Sequence, residues 1–155
     1  MGSDTKRETV QLVVFEINQA LYGLPVSKVQ EVINFSAITH TPGALESLEG
    51  VIDVRGDIIP VVDLHKRFRL PVPPSFQGCK ILITEIREFI VGFIVDKVNE
   101  VTVFPFQDVA PPPPGITQPG CDFTVGIIQK KGRLLLYLEV ERLIDLDQLL
   151  GKAPI

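Results

Sequence analysis

The chain has 155 residues, 45% hydrophobic and 22% charged, which is enough to bury a core and too apolar for a disordered chain. Its net charge of −4 argues against a nucleic-acid partner, which needs clustered Lys and Arg. No apolar run approaches the ~20 residues that cross a bilayer. Residues 1–9 are polar and read as a flexible start without a signal peptide's apolar segment, so a cytoplasmic protein is expected. Cys79 and Cys121 show no CxxC spacing and are expected as reduced thiols.

In chain order, residues 11–17 predict a strand with Val13, Phe15 and Ile17 on one face, and 21–26 predict a second. Pro25 cannot donate to a ladder, which predicts a sheet edge or a bulge there. Ser27 and Gln30 have capping-box spacing for one helical turn before extended structure resumes over 31–35. Thr41-Pro42 predicts an N-cap and first helical position, opening a short helix through Leu45 and Leu48 that stops at Gly50. Residues 50–64 then read as a β-hairpin turning at Gly56-Asp57, with Ile52 and Val54 on one face and Val51, Asp53 and Arg55 on the other. A helical turn over 65–68 and a proline connector over 71–74 follow.

Beyond the connector the sequence repeats. With Gly92 set under Gly23, an offset of 69, residues 80–104 overlie 11–35 without a gap, matching Lys28, Val29, Glu31 and Val32 to Lys97, Val98, Glu100 and Val101. The hairpin recurs at an offset of 76, with Gly50-Val51-Ile52 over Gly126-Ile127-Ile128 and Gly56 over Gly132. The extra residues of the second half fall in the loop over 111–120. A duplication of short strands predicts a mainly β fold of two similar small barrels packed together, because units of this size are marginal alone. The expected division is a first barrel over about 10–70, a second over about 78–138, and a C-terminal helix over 140–150 whose Leu143, Leu146 and Leu150 pack on a barrel.

The stretches Tyr22-Gly23-Leu24-Pro25-Val26-Ser27-Lys28-Val29-Gln30-Glu31-Val32, Glu49-Gly50-Val51-Ile52-Asp53-Val54-Arg55-Gly56 and Ile59-Pro60-Val61-Val62-Asp63-Leu64-His65-Lys66-Arg67-Phe68 resemble the chemotaxis coupling proteins of the CheW family. The resemblance runs from about residue 10 to about 150 and includes Val95-Asp96-Lys97-Val98. It implies two five-stranded, SH3-like β-barrel subdomains around a shared core, and a non-catalytic adaptor between transmembrane chemoreceptors and a CheA-type histidine autokinase. It also implies receptor contacts at Val29, Glu31, Gly50, Arg55, Val98 and Val101, near a groove where the barrels meet. No kinase-contact residues are implied. Two positions depart from the family pattern: Asp53 stands where asparagine is common and His65 where arginine is common. An extra carboxylate at Asp53 is expected to pair with Arg55.

The bland alternatives are an exposed solvated Glu31, a Gly50 that serves backbone geometry, and core roles for Val29 and Val98. No GxSxG, HExxH or phosphate-cradling glycine loop is present, so no enzyme activity, cofactor or metal is expected. His40 and His65 read as solvated or hydrogen-bonded structural residues, and Asp53, Asp57 and Asp63 as solvated faces. Arg55-Gly56-Asp57 reads as a turn, not an adhesion motif, and 111–114 as a stiff connector, not a polyproline ligand. Rival readings of the resemblance are a regulatory domain of a kinase or of a two-domain adaptor, or a coupling protein of a related motility pathway. A free-standing protein is favoured by where the chain starts and stops. A β-barrel module outside signalling is the more distant rival.

Overall fold

The computed structural model describes residues 8–41, 46–144 and 149. The first half supplies β1 (Thr9–Ile17), β2 (Ala20–Pro25), β3 (Val29–Asn34), β4 (Leu48–Val54), β5 (Asp57–Asp63) and the single-turn helix α1 (Leu64–Arg67). The second half repeats this as β6 (Lys80–Ile86), β7 (Phe89–Val95), β8 (Lys97–Pro105), β9 (Thr124–Lys130), β10 (Arg133–Leu138) and α2 (Val140–Leu143). The offsets of 69 and 76 therefore map element onto element, and α1 onto α2.

The strands form two five-stranded sheets, ordered β8-β1-β2-β10-β9 and β3-β6-β7-β5-β4, here named the β1 sheet and the β6 sheet. Each wraps three strands of one half around the leading hairpin of the other. The pairing obeys the repeat: Val13 faces Val101 in one sheet as Leu82 faces Val32 in the other. The expected division into barrels over 10–70 and 78–138 is thus corrected, because both sheets cross that boundary. Alike sequences specify alike strands but not which copy each strand pairs with.

Exchange leaves the leading hairpins at the sheet centres, apolar on both faces. On β1, Val13, Phe15 and Ile17 enter a core shared with Val62, Leu82 and Phe93 of the β6 sheet, while Leu12 and Val14 face inward with Leu135 and Ile128. The corresponding inner core of the β6 sheet holds Ile52, Val61, Ile81 and Ile94. Burying one such side chain contributes about 1.5–3 kcal/mol, so the shared core makes the two sheets interdependent.

Several local expectations are corrected. Pro25 ends a central strand: β2 pairs with β10 only over Leu21–Gly23, so the missing N–H costs no ladder bond there. A 3-10 turn does occupy Val26–Lys28, but without a side-chain cap from Ser27. Leu48, Glu49 and Gly50 are strand, not helix, while 42–45 lie outside the described residues. The hairpin turns at Arg55-Gly56, one residue earlier than expected, with Val54 paired to Asp57 and positive φ at both turn residues (52° and 91°). Ile52 is buried as expected, but Val54 is only half-buried. After α2, Ile144 is extended (φ −137°, ψ 152°), which breaks the continuous helix expected over 140–150. Leu149 is helical again and packs on the shared core, whereas Leu146 and Leu150 lie outside the described residues.

Candidate functional site

The β6 sheet has two edge strands, β3 and β4, and the β4–β5 turn brings Arg55 back over β3. There Arg55 Nη1 donates to Glu31 Oε2 at 3.3 Å and Nη2 donates to Oε1, a two-pronged pair across the seam of the sheet. The hydrogen bond from Arg55 holds the Glu31 carboxyl below its ordinary range, with the guanidinium charge adding to it. Arg55 remains 74% exposed, so the pair sits on the surface with one face of the guanidinium open. Asp53 does not take the role expected of it: its Oδ1 accepts from Gly56 N at 2.7 Å and caps the turn.

Beside this pair lies a groove of about 620 Å³ walled by Glu31, Leu48, Val54, Arg55, Ile58 and Phe89. Ile58 is 64% and Phe89 41% exposed, large apolar side chains at the rim. The arrangement is an apolar trough with one cation, Arg55, and three carboxylates, Glu31, Asp57 and Glu88, among its lining residues. Among the described residues no group of three or more His, Cys, Asp or Glu is placed to hold a metal ion. Among them too, no helix is long and apolar enough to cross a membrane.

The other expected contact residues are distributed differently. Val29 and Val98 occupy equivalent places at the starts of β3 and β8, half-buried against the shared core, which is the packing role weighed for them. Val101 lies on β8 at the edge of the β1 sheet, 53% exposed and opposite Val13. Gly50 is buried, and a Cβ there would meet the Thr39 carbonyl oxygen at 2.1 Å. That segment bridges to Val51 by backbone hydrogen bonds of 2.9 Å in both directions, so glycine at 50 admits a strap over the edge of β4. The structure therefore joins Glu31 and Arg55 in one site, leaves Gly50 under the Thr39 strap as backbone geometry, and sets Val98 and Val101 on the other sheet.

Sequence reasoning missed a second cluster. Asp63 and His65, read as solvated or structural, are both buried, and His65 lies between Asp63 and Asp96 with 2.7 Å contacts at each ring nitrogen. The signal was present in Asp63-Leu64-His65: an Asp immediately before a helical turn is an N-cap, and its Oδ1 does accept from His65 N at 3.1 Å. Also unforeseen was Glu100 paired with Lys130 at 2.9 Å, which spans β8 and β9 as Glu31 and Arg55 span β3 and the β4–β5 turn.

Comparison with known proteins agrees with this architecture. A family model described as the CheW-like domain matches residues 11–148. The chemotaxis protein CheW of Treponema pallidum is 30% identical over 146 residues, covering 92% of this chain and 86% of that protein. That of Bacillus subtilis is 29% identical over 145 residues, covering 93% and 92%. The crystal structure of the scaffolding protein TtCheW from Thermoanaerobacter tengcongensis superposes with a TM-score of 0.79 at 35% identity, covering 89% of each chain. A duplicated pair of interlaced five-stranded sheets, matched along nearly its whole length by these relatives, makes this chain a member of the CheW-like family of chemotaxis adaptors and scaffolds.

Proposed function

We propose that the chain is a non-catalytic, cytoplasmic adaptor that couples the helical tip of transmembrane chemoreceptors to a CheA-type histidine autokinase, recruited to receptor arrays by these contacts. The observation that carries the reading is the groove beside Glu31 and Arg55, with Ile58 and Phe89 exposed at its rim. An amphipathic helix presents apolar side chains three and four residues apart, which such a trough accommodates. Arg55 then fixes register and excludes wrong partners more than it adds affinity. In this reading Glu31 and Arg55 touch the receptor directly, Val101 extends the contact on the other sheet, and Gly50, Val29 and Val98 shape the backbone beneath it. Each contact is modest, and a lattice of linked contacts supplies avidity.

The test is titration of labelled protein with a receptor-tip helical hairpin, followed by NMR. Shifts should centre on Glu31, Arg55 and Ile58, and Arg55→Glu should weaken binding by about tenfold, the scale of one lost charge contact. Saturating binding with no shift at these residues, or unchanged affinity in Arg55→Glu, would move the receptor site elsewhere.

A further inference from the structure

The chain passes between its two sheets with a single intervening residue at one place: β7 of the β6 sheet ends at Val95 and β8 of the β1 sheet begins at Lys97, so Asp96 alone makes the crossing. Asp96 is tied from both sides. Its N–H donates to Glu16 O of β1 at 3.0 Å, and its Oδ2 accepts from Asn18 N in the β1–β2 turn at 2.6 Å. Its Oδ1 lies 2.7 Å from His65 Nε2, and His65 Nδ1 lies 2.7 Å from Asp63 Oδ1, at the start of α1. His65 and Asp63 side chains are 3% and 0% exposed, Asp96 35%. His65 thus joins the last strand pair of the β6 sheet to the residue that leads into the other sheet.

The two short contacts determine the ring's charge. A neutral imidazole has one N–H, so one of its two nitrogens would set a lone pair against a carboxylate oxygen beside a ring that is itself buried. Only the imidazolium donates at both ends. We propose that His65 is a pH-sensitive clasp on the crossover between the sheets, holding Asp96 while protonated and releasing it on deprotonation.

The surroundings support this. Burial alone pulls the His65 imidazole down from its ordinary 6.5, but hydrogen bonds and charge from Asp63 and then Asp96 outweigh it and hold it above that value. The remaining ionisable groups nearby are Cys79, whose thiol is pushed up by burial and by the same two carboxylates, and two ion pairs. Glu16 with Lys97 sits beyond Asp96, and Glu49 with Lys66 sits beside α1. None places a second cation on Asp63 or Asp96. The equivalent crossing in the first half, from β2 to β3, runs through the Val26–Lys28 turn, and the repeat puts Glu141 in place of His65, so the clasp exists on one side only.

Because the folded-state value is raised, the clasp contributes fully below about pH 6.5, where the unfolded histidine is also charged, and is lost as pH rises through the folded-state value. Across that window the folding equilibrium constant should fall roughly tenfold for each pH unit of elevation. The inference does not depend on what the groove binds.

Ring-nitrogen NMR of the unmodified protein tests it directly. The chain has two histidines, so His40→Asn leaves His65 alone to be read. The expected spectrum shows both ring nitrogens protonated below a transition that lies on the alkaline side of the ordinary histidine value, with loss of amide protection at Asn18 and Asp96 through it. A transition at or below the ordinary histidine value, or one ring nitrogen unprotonated on its acid side, would overturn the proposal. Urea unfolding across the same range adds a second readout: the midpoint should decline with pH in the unmodified protein and stay flat in His65→Arg, whose side chain keeps its charge. An equal decline in both would overturn it as well, and a His65→Arg chain that does not fold leaves the NMR result to decide.

Discussion

The two sheets are closed by ion pairs at matching places, and the pairs differ in one respect. In the β1 sheet the carboxylate is Glu100 and the cation is Lys130, the last residue of β9, its side chain 16% exposed. In the β6 sheet the carboxylate is Glu31, the repeat equivalent of Glu100, but the cation has moved one residue onward, from the strand to the turn. The repeat aligns Lys130 with Val54 and Arg55 with Lys131, so a shift of one position turns the cation from tucked to presented, at 74% exposure. One clasp is committed to the fold. The other closes its seam while leaving a planar cation at the rim of an apolar groove, which is what a docking residue requires.

The largest effect should come from the glycines under the straps. A Cβ at Gly50 meets the Thr39 carbonyl oxygen at 2.1 Å, backbone that cannot rotate aside. At the equivalent Gly126 the nearest atom is a Val109 methyl at 2.5 Å, with the Ala110 oxygen at 3.2 Å. Gly50→Ala should therefore cost about 3 kcal/mol or more in denaturant unfolding and Gly126→Ala about 1–2 kcal/mol. Equal losses would mean that the two straps are held alike.

Next is a bond that the repeat lacks. Tyr22, buried in β2, donates its hydroxyl to Pro119 O at 2.6 Å, pinning the loop that lengthens the second half, where the repeat has Val91 instead of a tyrosine. Burial pushes that phenol up to about 12, so the bond persists across the accessible pH range. Tyr22→Phe should lower stability by about 1 kcal/mol and raise hydrogen exchange in the loop without disturbing the groove beside Glu31 and Arg55. Exchange unchanged in the loop would separate the hydroxyl from loop order.

Smaller still, Lys130→Met should lower the melting temperature modestly while Arg55→Met leaves it nearly unchanged and weakens receptor-tip binding instead. The reverse pattern in calorimetry and titration would exchange the roles assigned to the two clasps. The least effect is electrostatic: Glu31 contributes through its pairing above the ordinary carboxylate range and loses this as pH falls through its depressed value. In Arg55→Met its carboxyl titration, read by NMR, should move back up toward the ordinary 4.5.

Much of this was legible in the chain itself. Offsets of 69 and 76 locate the repeated elements, while Arg55 and Glu31 enter the candidate site through the family resemblance, with no sign of their pairing. What stayed hidden was relational. A repeat cannot say that β8 lies beside β1 instead of β3, since Val101 and Val32 offer the same edge to either partner. Asp63 reads as solvent-facing because the histidine it meets has its second contact, Asp96, distant in sequence. The C-terminal helix looked continuous because leucine spacing carries across Ile144, while the extended backbone at that β-branched residue is set by its packing in the core.

The interlacing of the sheets also bears on synthesis. As the chain leaves the ribosome, β1 and β2 emerge with apolar side chains on both faces and only each other as neighbours, for β8 and β10 come late in the chain. Neither sheet can be completed from the first half alone: the β6 sheet needs β7, which ends at Val95, and the β1 sheet waits for β10, so the leading hairpin stays exposed longest. The β1 sheet can therefore close only once β10 is available, and the interval before that is when a chaperone has most to hold.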